Sequence, residues 1–192
     1  ALPHFQKAGQ LDPGYFKPMV QTGIAQYQLG NRAAAEPLLK RSMELLPTAP
    51  GAYYLGRVQE DGGNKAAAVE LYKLAAGSKS PVGAEALGRL VRLDLAQNPE
   101  TYLSIQPKLD SQGRVWLTVG NRTTTPVSNV TLVVGVVDAS GRTVYGPERV
   151  GTGGSVIPGG KAVNVRTSLG PFGSSEVLRS VKWKVEGASA AQ

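Results

Sequence analysis

The sequence lacks cysteine altogether and contains one histidine, His4. The absence of cysteine excludes a disulfide framework, a thiolate metal site and a cysteine nucleophile. One histidine cannot supply a zinc site built from several His or Cys ligands, and it gives no basis for a Ser-His-Asp triad. We therefore predict no catalytic residues, no metal site and no cofactor, so that the chain by itself is not expected to be an enzyme.

Long apolar runs are also absent. The longest uncharged apolar run covers residues 127–137 and is interrupted by Ser128, Asn129 and Thr131. It is too short to cross a bilayer, so no transmembrane segment is predicted. The lack of cysteine leaves the compartment open, because cysteine-free chains occur on both sides of a bacterial inner membrane.

Charge is not concentrated in any segment. The formal net charge of +7 comes from eleven Lys and Arg against eight Asp and Glu in residues 1–99, and from ten against six in residues 100–192. Nucleic-acid binders usually gather their basic residues on one face, so we expect no nucleic-acid partner. Lys161 follows glycines but precedes a strand pattern and not a helix, which argues against a phosphate-binding loop.

The composition changes near Pro99. Before it Ala and Leu recur at helical spacing, and after it Val, Thr, Gly and Ser follow in short alternating runs. We predict a two-domain α+β protein with a helical domain over residues 1–99 and a β domain over residues 100–187. Residues 188–192 are predicted to form a disordered tail.

A regular repeat runs through the helical half. Proline recurs at one constant interval, at Pro13, Pro47 and Pro81. Small residues recur in pairs at nearly the same interval, and the pairs are Gly23 and Gly56, Gly30 and Gly63, and Ala35 and Ala68. Glycine suits turns with positive φ, and proline cannot continue a helix. The spacing predicts two helical hairpins, and Pro37 is expected to mark the start of the second helix of the first hairpin.

These positions resemble the tetratricopeptide repeat, which has a period of about 34 residues. In that family small residues let the two helices of a hairpin pack closely. The resemblance implies an α-solenoid with a half repeat at residues 1–11, truncated at its N-terminus, then two full repeats and a capping helix over residues 82–97. The family's aromatic residue near the start of the first helix is replaced by Met19 in the first repeat and shifted to Tyr53 or Tyr54 in the second.

The resemblance also implies a concave groove, lined by the first helices, that receives an extended peptide or a partner helix. By position the groove residues are Lys17, Val20, Gln21, Ile24, Gln28, Tyr53, Arg57, Glu60, Glu85, Arg89 and Arg92. The three arginines are candidates for binding a carboxylate through charge-assisted hydrogen bonds. The alternative is that they pair with Glu60 and Glu85 on the surface, where each pair contributes about 0 to 1 kcal/mol.

In the second half, alternation with period two predicts short antiparallel strands. They are expected at 102–105, 114–119, 130–137, 143–145, 150–156, 162–167 and 177–185, which together favour an immunoglobulin-like β-sandwich. The segments Val119-Gly-Asn121, Asp138-Ala-Ser-Gly141 and Ile157-Pro-Gly159 resemble small bacterial immunoglobulin-like modules of the FxLYD type. This resemblance rests mostly on turn chemistry, so it implies a fold and says little about a ligand.

The leading functional hypothesis is a scaffolding region of a bacterial envelope protein, periplasmic or associated with the outer membrane, that binds a protein or peptide in the groove. The helical half is also similar to the C-terminal region of periplasmic zinc metallopeptidases that carry tetratricopeptide repeats. The alternative is therefore a substrate-recruiting, non-catalytic region with the His-Glu-x-x-His helix upstream. A third hypothesis is an envelope assembly factor whose β domain docks on peptidoglycan or a lipoprotein. The oligomeric state stays open.

Overall fold

The computed structural model describes residues 3–5, 7 and 14–191. Of the predicted half repeat, only residues 3–5 and 7 are described, and the rest lies outside the described residues. The chain divides into two compact units between Leu93 and Asp94, slightly before the predicted boundary at residue 99. The architecture is α+β, with helices followed by two antiparallel sheets.

The described helices and strands follow one another along the chain in two blocks. The helices are α1 (Phe16–Gln28), α2 (Arg32–Leu45), α3 (Ala49–Asp61), α4 (Lys65–Ala76), α5 (Pro81–Asp94) and the short α6 (Pro99–Tyr102). The strands are β1 (Leu103–Leu109), β2 (Val115–Asn121), β3 (Val127–Val137), β4 (Thr143–Gly151), β5 (Ala162–Arg166) and β6 (Val181–Ala190). A 3-10 helix, Ser175–Arg179, precedes β6.

The turns of the two helical hairpins share one geometry. Gly30 between α1 and α2 has φ 83°, and Gly63 between α3 and α4 has φ 82°, a region that glycine enters without steric cost. The asparagine after each glycine donates its backbone amide over 2.9 Å to the preceding helix, to the carbonyl of Gln26 or of Gln59. Equivalent turn bonds therefore recur at the interval that separates the two glycines.

Close approach of the paired helices depends on glycine at two equivalent positions. A Cβ atom at Gly23 would lie 2.7 Å from Cγ of Leu39, and one at Gly56 would lie 2.7 Å from Cε1 of Tyr72. Leu39 and Tyr72 are both fully buried. Each hairpin thus packs a large side chain of its second helix directly against the backbone of its first helix.

The structure corrects the expectation for Pro37. Helix α2 begins at Arg32, and Pro37 lies inside it. The carbonyl of Asn31 accepts hydrogen bonds from the amides of Ala34 (3.1 Å) and Ala35 (3.0 Å), so the helix is already formed before the proline. The prediction that Pro37 marks the start of this helix was wrong, because the turn at Gly30 and Asn31 fixes the start instead.

The second unit consists of two three-stranded antiparallel sheets with strand orders β1-β2-β5 and β4-β3-β6. Alternate residues of β2, namely Val115, Leu117 and Val119, are fully buried, whereas the residues between them are partly exposed. In β3 the residues Leu132 and Val134 are likewise fully buried. Each sheet therefore has one buried face and one face turned toward solvent, as the period-two pattern indicates.

Asn121 at the end of β2 organises the loop that follows it. This residue is buried, and its side-chain nitrogen donates to the carbonyls of Thr125 (2.8 Å) and Ile157 (3.0 Å). Its side-chain oxygen accepts from the amide of Thr123 at 2.9 Å. All polar atoms of the buried amide are satisfied, which assigns Asn121 a structural role.

An Asp-x-x-Gly turn closes two strand connections in the same way. Oδ1 of Asp138 accepts from the amides of Ser140 (2.9 Å) and Arg142 (3.0 Å), and Gly141 has φ 84°. Between β1 and β2, Oδ1 of Asp110 accepts from the amides at the corresponding positions of its own turn. In both turns a carboxylate oxygen accepts the hydrogen bonds of backbone amides that would otherwise need backbone carbonyls.

Three strand predictions need correction. The predicted strands 143–145 and 150–156 are one strand that ends at Gly151, since Gly153 and Gly154 have positive φ. Residues 175–179 form a 3-10 helix, so the last strand begins at Val181 and not at residue 177. That strand continues to Ala190, which pairs with Val127, and residues 188–190 therefore do not belong to a disordered tail.

The beginning of the second unit is fixed by a buried carboxylate. Asp94 accepts hydrogen bonds from the hydroxyl of Tyr102 (2.7 Å) and the side-chain nitrogen of Asn98 (2.8 Å). Burial, together with the hydrogen bond to Asp94, raises the pKa of Tyr102 above its ordinary value. These bonds tie the end of α5 to α6, which explains why the division of the chain precedes Pro99.

Candidate binding site

Four tyrosines from three helices form a continuous aromatic cluster in the first unit. Tyr54 contacts Tyr27 of α1 edge to face, with centroids 5.8 Å apart, and its neighbour Tyr53 at 5.1 Å. Tyr53 also lies 6.0 Å from the ring of Tyr72 in α4. The residues Tyr53 and Tyr72 are buried, whereas Tyr27 and Tyr54 are half-buried. Aromatic faces are therefore presented where α1 and α3 lie side by side.

Arg57 projects into this aromatic cluster. Its guanidinium carbon lies 5.3 Å from the centroid of Tyr27 and 6.0 Å from that of Tyr53, within the range of cation–π attraction. One terminal nitrogen is 3.3 Å from the hydroxyl of Tyr53. Burial lowers the pKa of Arg57, while the hydrogen bond to Tyr53 and the charge interactions with Tyr27 and Tyr53 together raise it, so the net shift is upward. The group is a permanent cation held by tyrosine rings.

No carboxylate of the described residues forms an ion pair with Arg57. In the same part of the chain, its Nε atom is buried and has no hydrogen-bond partner. A buried donor without an acceptor costs about 1 to 3 kcal/mol. The fold therefore maintains a cation with unused hydrogen-bonding capacity next to the half-buried rings of Tyr27 and Tyr54.

Glu60, one turn further along α3, is neutralised within the chain. Its Oε2 atom accepts from the hydroxyl of Tyr72 (2.6 Å) and pairs with Arg89 of α5 (2.8 Å). Burial, then the hydrogen bond to Glu60, raises the pKa of Tyr72 far above its ordinary value. For Arg89, burial lowers the pKa, while Tyr53 and Glu60 raise it by more. This network places α5 beside α3.

A second polar group lies at the other edge of the cluster. The hydroxyl of Tyr27 donates to Oδ2 of Asp61 (2.8 Å), and Arg32 donates to the carbonyl of Asp61 (2.9 Å). Burial followed by the hydrogen bond to Asp61 raises the pKa of Tyr27. Tyr27, Gln28, Arg32 and Asp61 border an open polar pocket of about 510 Å³.

The arrangement is suited to binding and not to proton transfer. The pKa values of Tyr27, Tyr72, Arg57 and Arg89 all shift further from neutral pH, so these four groups do not exchange a proton easily there. An unpaired arginine between aromatic rings is instead a site for a carboxylate, since guanidinium donors bind carboxylates strongly. Binding of an anionic group is the chemistry that the cluster supports.

The structure brings together four of the predicted groove residues, namely Tyr53, Arg57, Glu60 and Arg89. Three others lie apart from this group: the exposed Lys17 and Gln21 line an apolar pocket of about 530 Å³, and the buried Val20 borders the same pocket. Gln28 borders the polar pocket and donates its side-chain amide to the hydroxyl of Tyr54 over 3.4 Å. Ile24 packs on the apolar cluster around Leu39. Glu85 and Arg92 are exposed. The surface-pairing alternative holds for Arg89, which pairs with Glu60.

Sequence reasoning did not identify Tyr27, Tyr54, Asp61 and Tyr72 as members of the site. One available signal was the repeat itself, because Tyr27 precedes Glu60 by the same interval that separates Gly23 from Gly56. Tyr27 and Glu60 therefore share one position in the hairpin, and helix side chains at equivalent positions of stacked hairpins lie on the same surface. The contact between the hydroxyl of Tyr72 and Glu60 depends on the glycine at position 56. No other feature of the sequence indicated this contact.

Within the described residues, no three His, Cys, Asp or Glu side chains are grouped so that they could hold a metal ion. In the same range, none of the helices has the length and apolar character needed to cross a bilayer. The second finding agrees with the prediction of no transmembrane segment.

Comparison with known proteins gives little further guidance. No protein-family model matches the sequence, and no curated protein matches it. A solved structure, the Pseudomonas fluorescens alkylpurine DNA glycosylase AlkC bound to DNA containing an abasic site analog, is similar at 9% identity and a TM-score of 0.23. The match covers 91% of this chain and 74% of that chain. A likeness at this TM-score carries no argument about fold or function.

Proposed function

We propose that this chain is the binding part of a bacterial envelope protein and that it holds an acidic polypeptide segment on the face formed by α1, α3 and α5. In this proposal the first unit is a short tetratricopeptide-type array and the second an immunoglobulin-like sandwich. The chain contributes no catalytic step of its own. The location, periplasmic or associated with the outer membrane, is the one that the resemblances of both halves imply.

The array in this proposal is supported by the equivalence of the two hairpins. Turn geometry, buried alanines and the contact of a glycine with a large side chain all recur from the first hairpin to the second. Stacked repeats present their first helices side by side along one surface. The contacts of Tyr27 with Arg57, and of Arg89 with Glu60, join α1, α3 and α5 in that order.

The single observation that carries the binding proposal is the state of Arg57. It has aromatic partners and one phenol partner, but no carboxylate among the described residues and no acceptor for Nε. A carboxylate of a bound peptide, from Asp, Glu or a chain end, would neutralise this cation, and Tyr27 and Tyr54 would offer apolar contact beside it. Binding would thereby give this cation the carboxylate partner that the described residues do not supply.

The proposal is tested with peptides selected from a random display library on the full chain. Their affinity is then measured by fluorescence polarisation against the wild type and Arg57→Gln. We expect selected peptides to be enriched in acidic residues and to bind Arg57→Gln at least about tenfold more weakly, which corresponds to about 1.4 kcal/mol. Adding Tyr53→Phe to that variant should weaken binding further.

Arg41→Gln is the matched control, because Arg41 is an exposed arginine of α2 that pairs with Glu44 at the surface. It removes the same charge from a different face and should change affinity less than about twofold. Equal affinities for the wild type, Arg57→Gln and the double variant would show that peptides do not bind at this cluster.

A further inference from the structure

The solvent-facing side of the sheet β1-β2-β5 carries an ordered row of cationic and aromatic side chains. Trp116 in the central strand is in register with Lys108 of β1 and with Arg166 of β5. The neighbours of Trp116 in the strand, Val115 and Leu117, are fully buried, so this row belongs to the opposite face. Lys108 and Arg166 are exposed.

Trp116 in this row is held in place. Its indole nitrogen donates to Oδ2 of Asp110 at 3.0 Å, and the guanidinium carbon of Arg166 lies 5.0 Å from its ring centroid. Asp110 also accepts the two amides of its own turn. Within the described residues neither Lys108 nor Arg166 forms an ion pair. The row thus offers two cations without acidic partners on a rigid support.

The next row on the same face is polar and uncharged. It consists of Gln106, Thr118 and Asn164 in register. The hydroxyl of Thr118 donates to the side-chain oxygen of Asn164 over 2.9 Å, a bond that leaves the amide donors of Asn164 unused. Beyond it lie the small residues Ser104, Gly120 and Ala162. This end of the face therefore carries small side chains, and its middle row carries donors beside the cations.

We propose that this face binds a carboxylate-bearing polysaccharide. Lys108 and Arg166 are separated by two strand spacings, about 10 Å, which suits negative charges placed on alternate sugars of an extended chain. The amide and hydroxyl groups of the neighbouring row match sugar hydroxyls, which donate and accept hydrogen bonds. The site lies in the second unit and is separate from the peptide site proposed for the first.

Other anionic polymers fit this face less well. Proteins that bind single-stranded nucleic acid stack bases on free aromatic rings, whereas Arg166 covers the ring of Trp116. Attachment to an anionic lipid surface requires a cluster of about four to eight basic residues, and this row supplies two. Alternating carboxylates and hydroxyls are the chemistry that the two rows share.

The test uses the full chain and oligogalacturonate as the carboxylated probe, with a neutral dextran oligomer, an oligothymidylate and phosphatidylserine vesicles as competitors. We expect salt-sensitive binding of oligogalacturonate that falls at least tenfold in Lys108→Gln and in Arg166→Gln. Lys108→Gln is the safer variant, because Lys108 has no partner in the described residues that folding would need. Lys182→Gln with Lys184→Gln, on exposed positions of β6, is the matched control and should bind as the wild type does.

Absence of oligogalacturonate binding would overturn the proposal. Equal losses in the Lys108 variant and in the β6 control would also overturn it, since they would indicate general attraction to positive charge. Binding of the oligothymidylate or the vesicles as tightly as the glycan would assign the face to nucleic acid or lipid instead. Circular dichroism of each variant verifies that the sheets remain folded.

Discussion

Substitution of Gly56 by alanine gives the most direct prediction about the packing of the helical hairpins. The new methyl group would lie 2.7 Å from Cε1 and 2.9 Å from Cδ1 of Tyr72. Tyr72 cannot move away freely, because it is fully buried and its hydroxyl is bonded to Glu60 at 2.6 Å. The substitution must therefore displace the ring, the helix or both.

The magnitude follows from two opposing effects. Alanine is favoured over glycine inside a helix by about 1 kcal/mol. Overpacking of a filled interior costs about 1 to 3 kcal/mol, and weakening the bond from Tyr72 to the Glu60 carboxylate costs about 1.5 to 3 kcal/mol more. We expect Gly56→Ala to lower the free energy of unfolding by about 1.5 to 5 kcal/mol in total.

Gly77→Ala is the matched control for this prediction. Gly77 follows α4 with helical backbone angles, φ −66° and ψ −13°, and a Cβ atom there would meet only the carbonyl oxygen of Leu74 at 3.5 Å. Its replacement should stabilise the protein by a few tenths to about 1 kcal/mol. Urea unfolding followed by the helical circular dichroism band measures both variants. Equal or favourable shifts for both would refute the close contact between Gly56 and Tyr72.

Three further outcomes are expected. Tyr72→Phe removes the hydroxyl that donates to Glu60 and should destabilise the helical unit by about 1.5 to 3 kcal/mol in the same urea assay, while Tyr145→Phe, at an exposed position, should have no effect. Asn121→Ala leaves the carbonyls of Thr125 and Ile157 without their buried donor and should cost about 2 to 5 kcal/mol, seen as earlier thermal loss of the sheet signal. Hydrogen bonds from Ser140, then Arg142, lower the pKa of Asp138 in the folded protein. The stability that this carboxylate contributes is therefore complete above the ordinary aspartate pKa of about 3.9 and is lost as the pH falls through the lower pKa of the folded state. Asp138→Asn should make unfolding less sensitive to acid.

The repeated features of the helical unit could be predicted from the sequence because they depend on local chemistry. Glycine followed by asparagine determines the turns at Gly30 and Gly63, and the regular spacing places Gly23 and Gly56 at equivalent contacts. The position of Pro37 within α2 could not be predicted from the preference of proline for the first turn of a helix. The hydrogen bonds of the preceding turn determine where that helix begins, and they override the preference of a single residue.

The candidate site was predicted only in part. Position within the repeat placed Arg57, Glu60 and Arg89 in the predicted groove, and in the structure Glu60 of α3 pairs with Arg89 of α5. It could not indicate that the carboxylate of Glu60 is already bonded to Arg89 and Tyr72, whereas Arg57 has no carboxylate partner among the described residues. That distinction arises from side-chain packing between helices, which a one-dimensional pattern does not contain.

The β domain shows the same division between local and long-range determinants. The Asp-x-x-Gly turn at Asp138 follows from its residues, because the carboxylate and the glycine serve a turn directly. The extent of β4 and β6 depends on pairing with β3, whose register shifts at two places in each pairing. Alternation alone does not reveal such irregularities, and it divided one strand into two.

The most direct test of the central claim is an NMR titration of the isotopically labelled chain with an acidic peptide selected by display. The account predicts that amide shifts concentrate on α1, α3 and α5, with the side chain of Arg57 among the strongest, and that Arg57→Gln abolishes them at the same peptide concentration. Shifts confined to α2 and α4, or an unchanged titration in Arg57→Gln, would contradict it.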